Sequence, residues 1–195
     1  MGFSDEVGPI NKLSAIFHQT MCKELFDKLR ADTAELYKSY RLNHFSLFYI
    51  HKYYVQKSNE HNLENFVIED KINESVRFDG ENMIKETFDN GKYQFLVSSS
   101  AIVNFYQIWE DKYRKKISKE VNIDVINSEV YYELNKLRQS IIHNSNRPTP
   151  EFKKVASNFK FILIDDKLEL TVEEIHKIYK ILLQEIDDLE KKYCR

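Results

Sequence analysis

Apolar residues in the first third of the chain return every three or four positions, the interval at which an α-helix brings side chains onto one face. Ile10, Leu13, Phe17, Met21, Leu25 and Leu29 make one stripe, and Leu36, Tyr40, Leu47, Ile50 and Tyr54 continue it with a shift of phase. The shift predicts two helices between Ile10 and Lys57 with a break near Asp32 or Asn43, or one long bent helix in their place. Helical spacing resumes from Tyr93 to about Val121 through Leu96, Ile102, Val103, Tyr106, Trp109, Tyr113 and Ile117. Glu110 and Arg114, four apart, predict a supporting surface pair. Ser128 or Asn127 then caps a further helix whose Val130, Leu134, Leu137 and Ile141 lie within about 60° of one another and predict its buried stripe.

After Pro150 the period changes. Alternation in Phe159–Ile164, the Asp165-Asp166 pair and Lys167–Leu170 predict a small hairpin. Thr171-Val-Glu-Glu174 reads as a capping box opening a last helix, with Val172, Ile175, Tyr179, Leu182, Ile186 and Leu189 inward. Its Glu-rich start and the Lys191, Lys192 and Arg195 at its end suit the helix dipole. Residues 58–91 carry the weakest pattern and read as a variable connector or insertion. There Leu63, Phe66, Val67, Lys71 and Ile72 are spaced for a short helix, and Asp79-Gly80 and Asn90-Gly91 are turn signals. Only four Gly and three Pro occur in the 195 residues, none of them between Ile10 and Asp79, and a chain so rarely punctuated is helical. The expected fold is one all-α domain over residues 1–195, a bundle of about five helices with a short β-hairpin before the last.

Charge narrows the choice of partners. The formal net charge is −2, so the molecule as a whole is no electrostatic nucleic-acid binder, and any RNA contact must come from a local patch. Lys112, Arg114, Lys115, Lys116 and Lys119, with Tyr113 among them, offer such a patch, although Glu110, Asp111 and Glu120 dilute it and a solvated helix face is the plainer account. The Tyr and Phe residues between Tyr37 and Tyr54 are assigned to core or dimer packing. Cys22 and Cys194 lack ligand spacing, which argues against a disulfide scaffold and a zinc site and fits a reducing compartment. His44 and His51 lie two turns apart with no third ligand, and His18, His61 and His176 are isolated, so neither metal nor cofactor is expected. Neither a signal peptide nor a run of about 18 apolar residues is present, and Glu6 stands where a myristoylation signal needs Ser or Thr. The expected location is cytoplasmic, with no membrane contact.

The strongest chemistry falls in Arg138-Gln-Ser-Ile-Ile-His143, near the end of the helix that Ser128 opens and just before an Asn-Ser-Pro stop. On that helix Asn135, Arg138, Gln139 and His143 occupy a sector away from the apolar stripe, shared with Tyr131, Tyr132 and Ile142. Polar groups flanked by aromatics suit a surface that meets a protein or a ligand. Arg138 and His143 point about 140° apart, so one copy makes a loose site, whereas two copies across a two-fold axis bring two Arg and two His into one cleft. The blander readings are an ion pair for Arg138, to Glu133 or to another helix, and a helix-end imidazole on free carbonyls for His143.

This stretch resembles the R-x4-6-H signature of the HEPN superfamily, many of whose members are metal-independent ribonucleases of toxin–antitoxin and antiphage systems. The helix around Trp109-Glu110, the hairpin and the capped last helix are also similar to that family, while residues 1–90 show no match. The resemblance implies a homodimer that cleaves RNA, tRNA or mRNA, to a 2′,3′-cyclic phosphate end without a cofactor, and an antitoxin or defence-system protein as partner. It implies His143 as general base and acid and Arg138 as stabiliser of the phosphorane. Asn135 and Gln139 orient substrate, and Lys112, Arg114, Lys115 and Lys116 bind it. Gln139 stands where the family commonly has Asn, Asp or His. Asn144-Ser145 departs from the R-x4-H-x-Y form, so adenylylation at such a Tyr is not expected. The competing expectation is a non-catalytic HEPN-like module that binds a nucleotide or a protein.

Overall fold

A computed structural model describes residues 9–60, 66–69, 75–78, 80–88, 91–144 and 147–194. His61, Leu63, Lys71, Ile72, Asp79, Asn90, Ser145 and Arg195 lie outside them. The chain is all-α with a short hairpin before its last helix, as the pattern predicts.

Helix α1 runs unbroken from Pro9 to Asn59, about 75 Å at the standard rise per residue. The break expected near Asp32 or Asn43 is absent. Polar residues complete the stripe that the hydrophobic ones alone leave out of phase. Cys22, Phe26, Leu29, Thr33, Leu36, Tyr40, His44, Leu47, His51 and Tyr54 are all buried or half-buried at intervals of three and four. Thr33 donates its hydroxyl to the Leu29 carbonyl at 2.7 Å, and Ser46 does the same to Leu42 at 3.0 Å, so neither competes for a helix end. Phe17, placed in the first stripe, is exposed. The aromatics from Tyr37 to Tyr54 divide. Tyr40 and Tyr54 enter the core, whereas Phe45, Phe48, Tyr49 and Tyr53 are exposed, which corrects core packing for those four.

The connector holds more order than its pattern suggests. Phe66–Glu69 (β1) and Ser75–Phe78 (β2) pair antiparallel with Phe66 opposite Phe78, so Phe66 and Val67 are strand rather than helix. Their aromatic and β-branched composition favours the pleat. Gly80–Thr87 (α2) packs on α1, with His51 Nδ1 3.2 Å from the Thr87 hydroxyl.

Lys92–Gln107 (α3) passes without interruption into a π-helical segment, Ile108–Arg114, and then into Lys115–Glu120 (α4). The wider π turn changes the phase of the helix mid-course. Trp109, Tyr113 and Ile117 all reach the core, while Leu96, expected inward, is 54% exposed. Glu129–His143 (α5) follows, capped by Ser128, whose hydroxyl accepts from the Tyr131 amide at 3.0 Å. Pro150–Val155 (α6) is capped likewise by Thr149.

A 3-10 turn, Lys160–Ile162, leads into Leu163–Ile164 (β3) and Lys167–Leu168 (β4), a hairpin shorter than the alternation predicts. Asp165 and Asp166 make its tight turn at φ 47° and 60°, a left-handed pair that a short polar side chain tolerates. Thr171 stands at the N-cap of the last helix, Val172–Tyr193 (α7), but its side chain makes no cap bond and Glu174 approaches Lys177 at 3.5 Å instead. The expected capping box does not form.

Helices α1, α3, α5 and α7 enclose the core, in which Phe26, Leu29, Ile102, Leu134, Leu137, Phe152, Ile178 and Leu182 have no exposed surface. Trp109 stacks on Tyr131 with centroids 4.3 Å apart and planes within 9°. Such a pair adds about 1 kcal/mol beyond area burial. Tyr131 is therefore core, not part of the polar sector; burial, and then the Glu185 carboxylate, pushes its hydroxyl far above the ordinary range.

The cysteines overturn their expected role. Cys22 and Cys194, 172 residues apart, form a disulfide with Cα atoms 5.8 Å apart, joining α1 to the end of α7. Pairing at that separation is invisible to spacing, and it removes the argument for a reducing compartment. No helix among the described residues is long and apolar enough to cross a membrane.

Glu133, buried on α5, accepts from the backbone amides of Ser157 and Asn158 at 3.1 and 2.9 Å and from their side chains at 2.6 and 2.8 Å. It does not pair with Arg138. Glu133→Ala leaves these donors without an acceptor and is expected to lower stability by about 3 kcal/mol, with Glu133→Gln losing roughly half as much; urea denaturation followed by circular dichroism measures both.

Candidate functional site

Helix α5 is fixed along its length before it offers any chemistry. Ser128 caps its start, Glu133 ties its middle to the Ser157-Asn158 turn, and Ser140 binds its end to the next helix. The Ser140 hydroxyl accepts from the Thr149 amide at 3.0 Å and lies 3.1 Å from the Thr149 hydroxyl. Past His143, Asn144 donates its side-chain amide to the Arg147 carbonyl at 3.0 Å and accepts the Arg147 amide at 2.9 Å. Val130, Leu134 and Leu137 are buried and Ile141 half-buried, as the stripe predicts. The remaining face has its position set from both ends.

On that face Arg138 is half-buried with its guanidinium carbon 5.5 Å from the Tyr106 ring centre. Its Nε is shielded from solvent and donates to nothing, and no carboxylate among the described residues pairs with it. A buried N–H left without an acceptor is costly, so this donor is a place where an acceptor would be welcome. Lys136 stands 5.5 Å from the Tyr132 ring centre and donates to the Gln139 side-chain oxygen at 3.3 Å, again without a carboxylate. Around the helix Arg138 and Lys136 mark the edges of a sector about 160° wide, with Asn135, Gln139 and His143 between them. His143 is exposed in the last turn next to exposed Ile142, and exposed Tyr132 lies about three turns earlier on the same helix.

Tyr106 joins Arg138 to a second pair. Arg114 meets the Glu110 carboxylate at 2.9 and 3.1 Å and donates to the Ile126 carbonyl at 3.1 Å, which confirms the expected Glu110–Arg114 pair and adds a contact to the loop before α5. Burial, and after it the Glu110 carboxylate, raises the Tyr106 hydroxyl above its ordinary value. A pocket of about 90 Å³ lies here, walled by Tyr106, Glu110, Arg114, Tyr132 and Asn135 among others. Asn135 and Arg114 are thus brought together, while Arg138, over the ring of the shared tyrosine, does not line the pocket.

The basic run is divided. Lys112 turns away to α1, where it donates to Asp32, whose same oxygen accepts the Tyr113 hydroxyl at 2.7 Å. Lys115 and Lys116 are exposed. Of the four cationic residues assigned to substrate binding, only Arg114 reaches the neighbourhood of Arg138 through described contacts. Tyr106, Glu110 and Lys136 are the members that sequence reasoning left out. Lys136 was legible in principle, since it follows Tyr132 and precedes Gln139 and His143 at helical intervals.

Other cavities differ in charge. A pocket of about 700 Å³ at the start of α5 is lined by Glu129, Glu185 and Asp188 against Lys192 alone, a poor match for phosphate. Two of the three histidines read as isolated have partners: His18 lies 2.8 Å from Glu120 and His176 2.7 Å from the Tyr37 hydroxyl. Among the described residues no group of three His, Cys, Asp or Glu side chains is placed to hold a metal ion. Comparison with protein families, curated proteins and solved structures finds no match.

The Lys112 hydrogen bond, acting against burial and joined by that of Tyr113, holds the Asp32 carboxyl below its ordinary value of 3.8. A lowered folded-state value stabilises the protein above 3.8, and that contribution fades as pH falls through the folded value. Asp32→Asn is therefore expected to lower the denaturation midpoint near neutral pH, and the difference from the unchanged protein should shrink in acid. Urea titrations at about pH 7 and about pH 3 measure the two gaps.

Proposed function

We propose that the chain is a HEPN-type, metal-independent endoribonuclease acting as a homodimer in toxin–antitoxin or antiphage defence. The observation that carries the reading is the pair of cations on α5, Arg138 and Lys136, each lying over a tyrosine ring and neither matched by a carboxylate among the described residues. A cation kept free of acids on a fixed helix is available to an anion, and a phosphodiester is the anion whose chemistry the neighbouring imidazole serves. His143 removes the 2′-hydroxyl proton and returns one to the 5′-oxygen, Arg138 stabilises the phosphorane, and Asn135 and Gln139 orient the nucleotide. The product is a 2′,3′-cyclic phosphate.

One chain leaves Arg138 and His143 about 140° apart around α5, so the cleft requires a second copy across a two-fold axis. Exposed Tyr132 and Ile142 lie within the polar sector and suit burial against that copy. With RNA as substrate, the compartment is the cytoplasm. A defence-system or antitoxin protein that covers the same sector would hold the enzyme off. The alternative, a non-catalytic module that binds RNA or a nucleotide, uses the same cations without turnover.

In EDTA the protein is expected to cleave tRNA or bulk RNA, with cyclic phosphate ends found by end-labelling. His143→Ala should reduce the rate by about 10²- to 10⁴-fold and Arg138→Ala by about 10²-fold or more, while sedimentation still reports a dimer. Lys136→Ala is expected to weaken binding more than turnover. Retained binding with no cleavage by the unchanged protein would sink the nuclease and favour the module; cleavage indifferent to both mutations would sink the site.

A further inference from the structure

The second cavity with reactive groups in its walls lies away from α5. It holds about 480 Å³ and is lined by Cys22 and Cys194 together with His18, Gln19, Lys119 and Glu120, among others. We infer that this pocket is a thiol–disulfide exchange site, at which a low-molecular-weight thiol opens and recloses the Cys22–Cys194 bond.

Four observations support this. First, the sulfur-bearing residues are almost wholly covered, at 2% and 6% exposure, yet both border the cavity, so a small thiol entering it meets the bond without unfolding the protein. Second, His18 is one helical turn before Cys22, on the same face of α1, and its Nδ1 lies 2.8 Å from the Glu120 carboxylate. A carboxylate on one ring nitrogen fixes the imidazole, which places a group able to give a proton on the side of the leaving thiolate. Third, Gln19 donates to the Cys194 carbonyl at 3.2 Å, which keeps the end of the chain seated at the pocket whether or not the bond is closed. Fourth, Lys119 adds a positive charge to the cavity wall, a condition that favours an incoming thiolate.

The chemistry balances with two thiols. An external thiolate attacks the sulfur of Cys194, the less covered of the two residues; a mixed disulfide forms there and the Cys194–Cys22 bond breaks. The electron pair leaves on Cys22, which His18 protonates. A second external thiolate attacks the mixed disulfide and releases the external disulfide and the Cys194 thiolate, which takes a proton from water. Two thiols are oxidised and one protein disulfide is reduced. The reverse sequence, driven by an external disulfide, recloses the link. Because the bond joins two elements distant in sequence, exchange transmits the thiol status of the surroundings to the α1–α7 contact.

The test uses the folded, oxidised protein in glutathione buffers of defined ratio, with acid-quenched intact-mass and peptide analysis. The expected result is a glutathione adduct on Cys194, followed by two free thiols, at a rate faster than global unfolding measured by hydrogen exchange. His18→Ala is expected to slow exchange by about tenfold or more near neutral pH, with an unchanged denaturation midpoint. The proposal is overturned by a bond that glutathione leaves intact until denaturant is added, by an adduct confined to Cys22, or by exchange at the unchanged rate in His18→Ala. Purified protein whose two thiols fail to close with oxidised glutathione would overturn it equally.

Discussion

Helix α5 is held by polar groups that have given up water for protein partners. Glu133 is the clearest case: a carboxylate with almost no exposed surface satisfied by four donors from one two-residue turn. The arrangement is exacting, because a buried charge tolerates few alternative positions for its donors. It sets the height of α5 against the segment that follows α6, and Ser140 with Thr149 sets its far end. Everything on the outward face of α5 inherits that placement.

A second constraint comes from the aromatic layer beneath. Trp109 stacks on Tyr131 inside the core, while Tyr106, one turn earlier on α3, carries Arg138 on its ring. The same helix–helix contact thus supplies an apolar anchor and a cation seat. The π-helical stretch that begins just after Tyr106 carries Trp109 and Tyr113 inward, while Arg114, paired with Glu110, reaches the loop before α5. Local departure from regular helix and the gathering of charged groups coincide here, as they often do at working sites.

Much of this is legible in the sequence where a single period dominates. The stripes of α5 and α7, the Ser128 cap and the Asp165-Asp166 turn follow from residue type and spacing. Legibility fails where polar residues do apolar work. Thr33, His44 and His51 complete the inward face of α1, and without them the stripe looks broken. It fails also where partners come from afar: Asp32 claims Lys112, and Cys22 finds Cys194 across nearly the whole chain. Within the candidate site, Arg138, His143, Asn135 and Gln139 stand out by their place on the helix. Tyr106 and Glu110 do not, because their role depends on how α3 crosses α5, and that crossing is not written in either segment alone.

The π turn has one further consequence. A wider turn is equivalent to one residue inserted into a regular helix, so it acts as a phase adjuster between the upstream and downstream halves of a continuous rod. Removing a single residue within Ile108–Arg114 would let the segment close as regular α-helix with its two flanks still in phase. Tyr106 would stay beneath Arg138 and Ile117 would keep its seat. The cation seat therefore tolerates a change of one residue in the length of this seven-residue segment, because the turn and not the flanks takes up the difference.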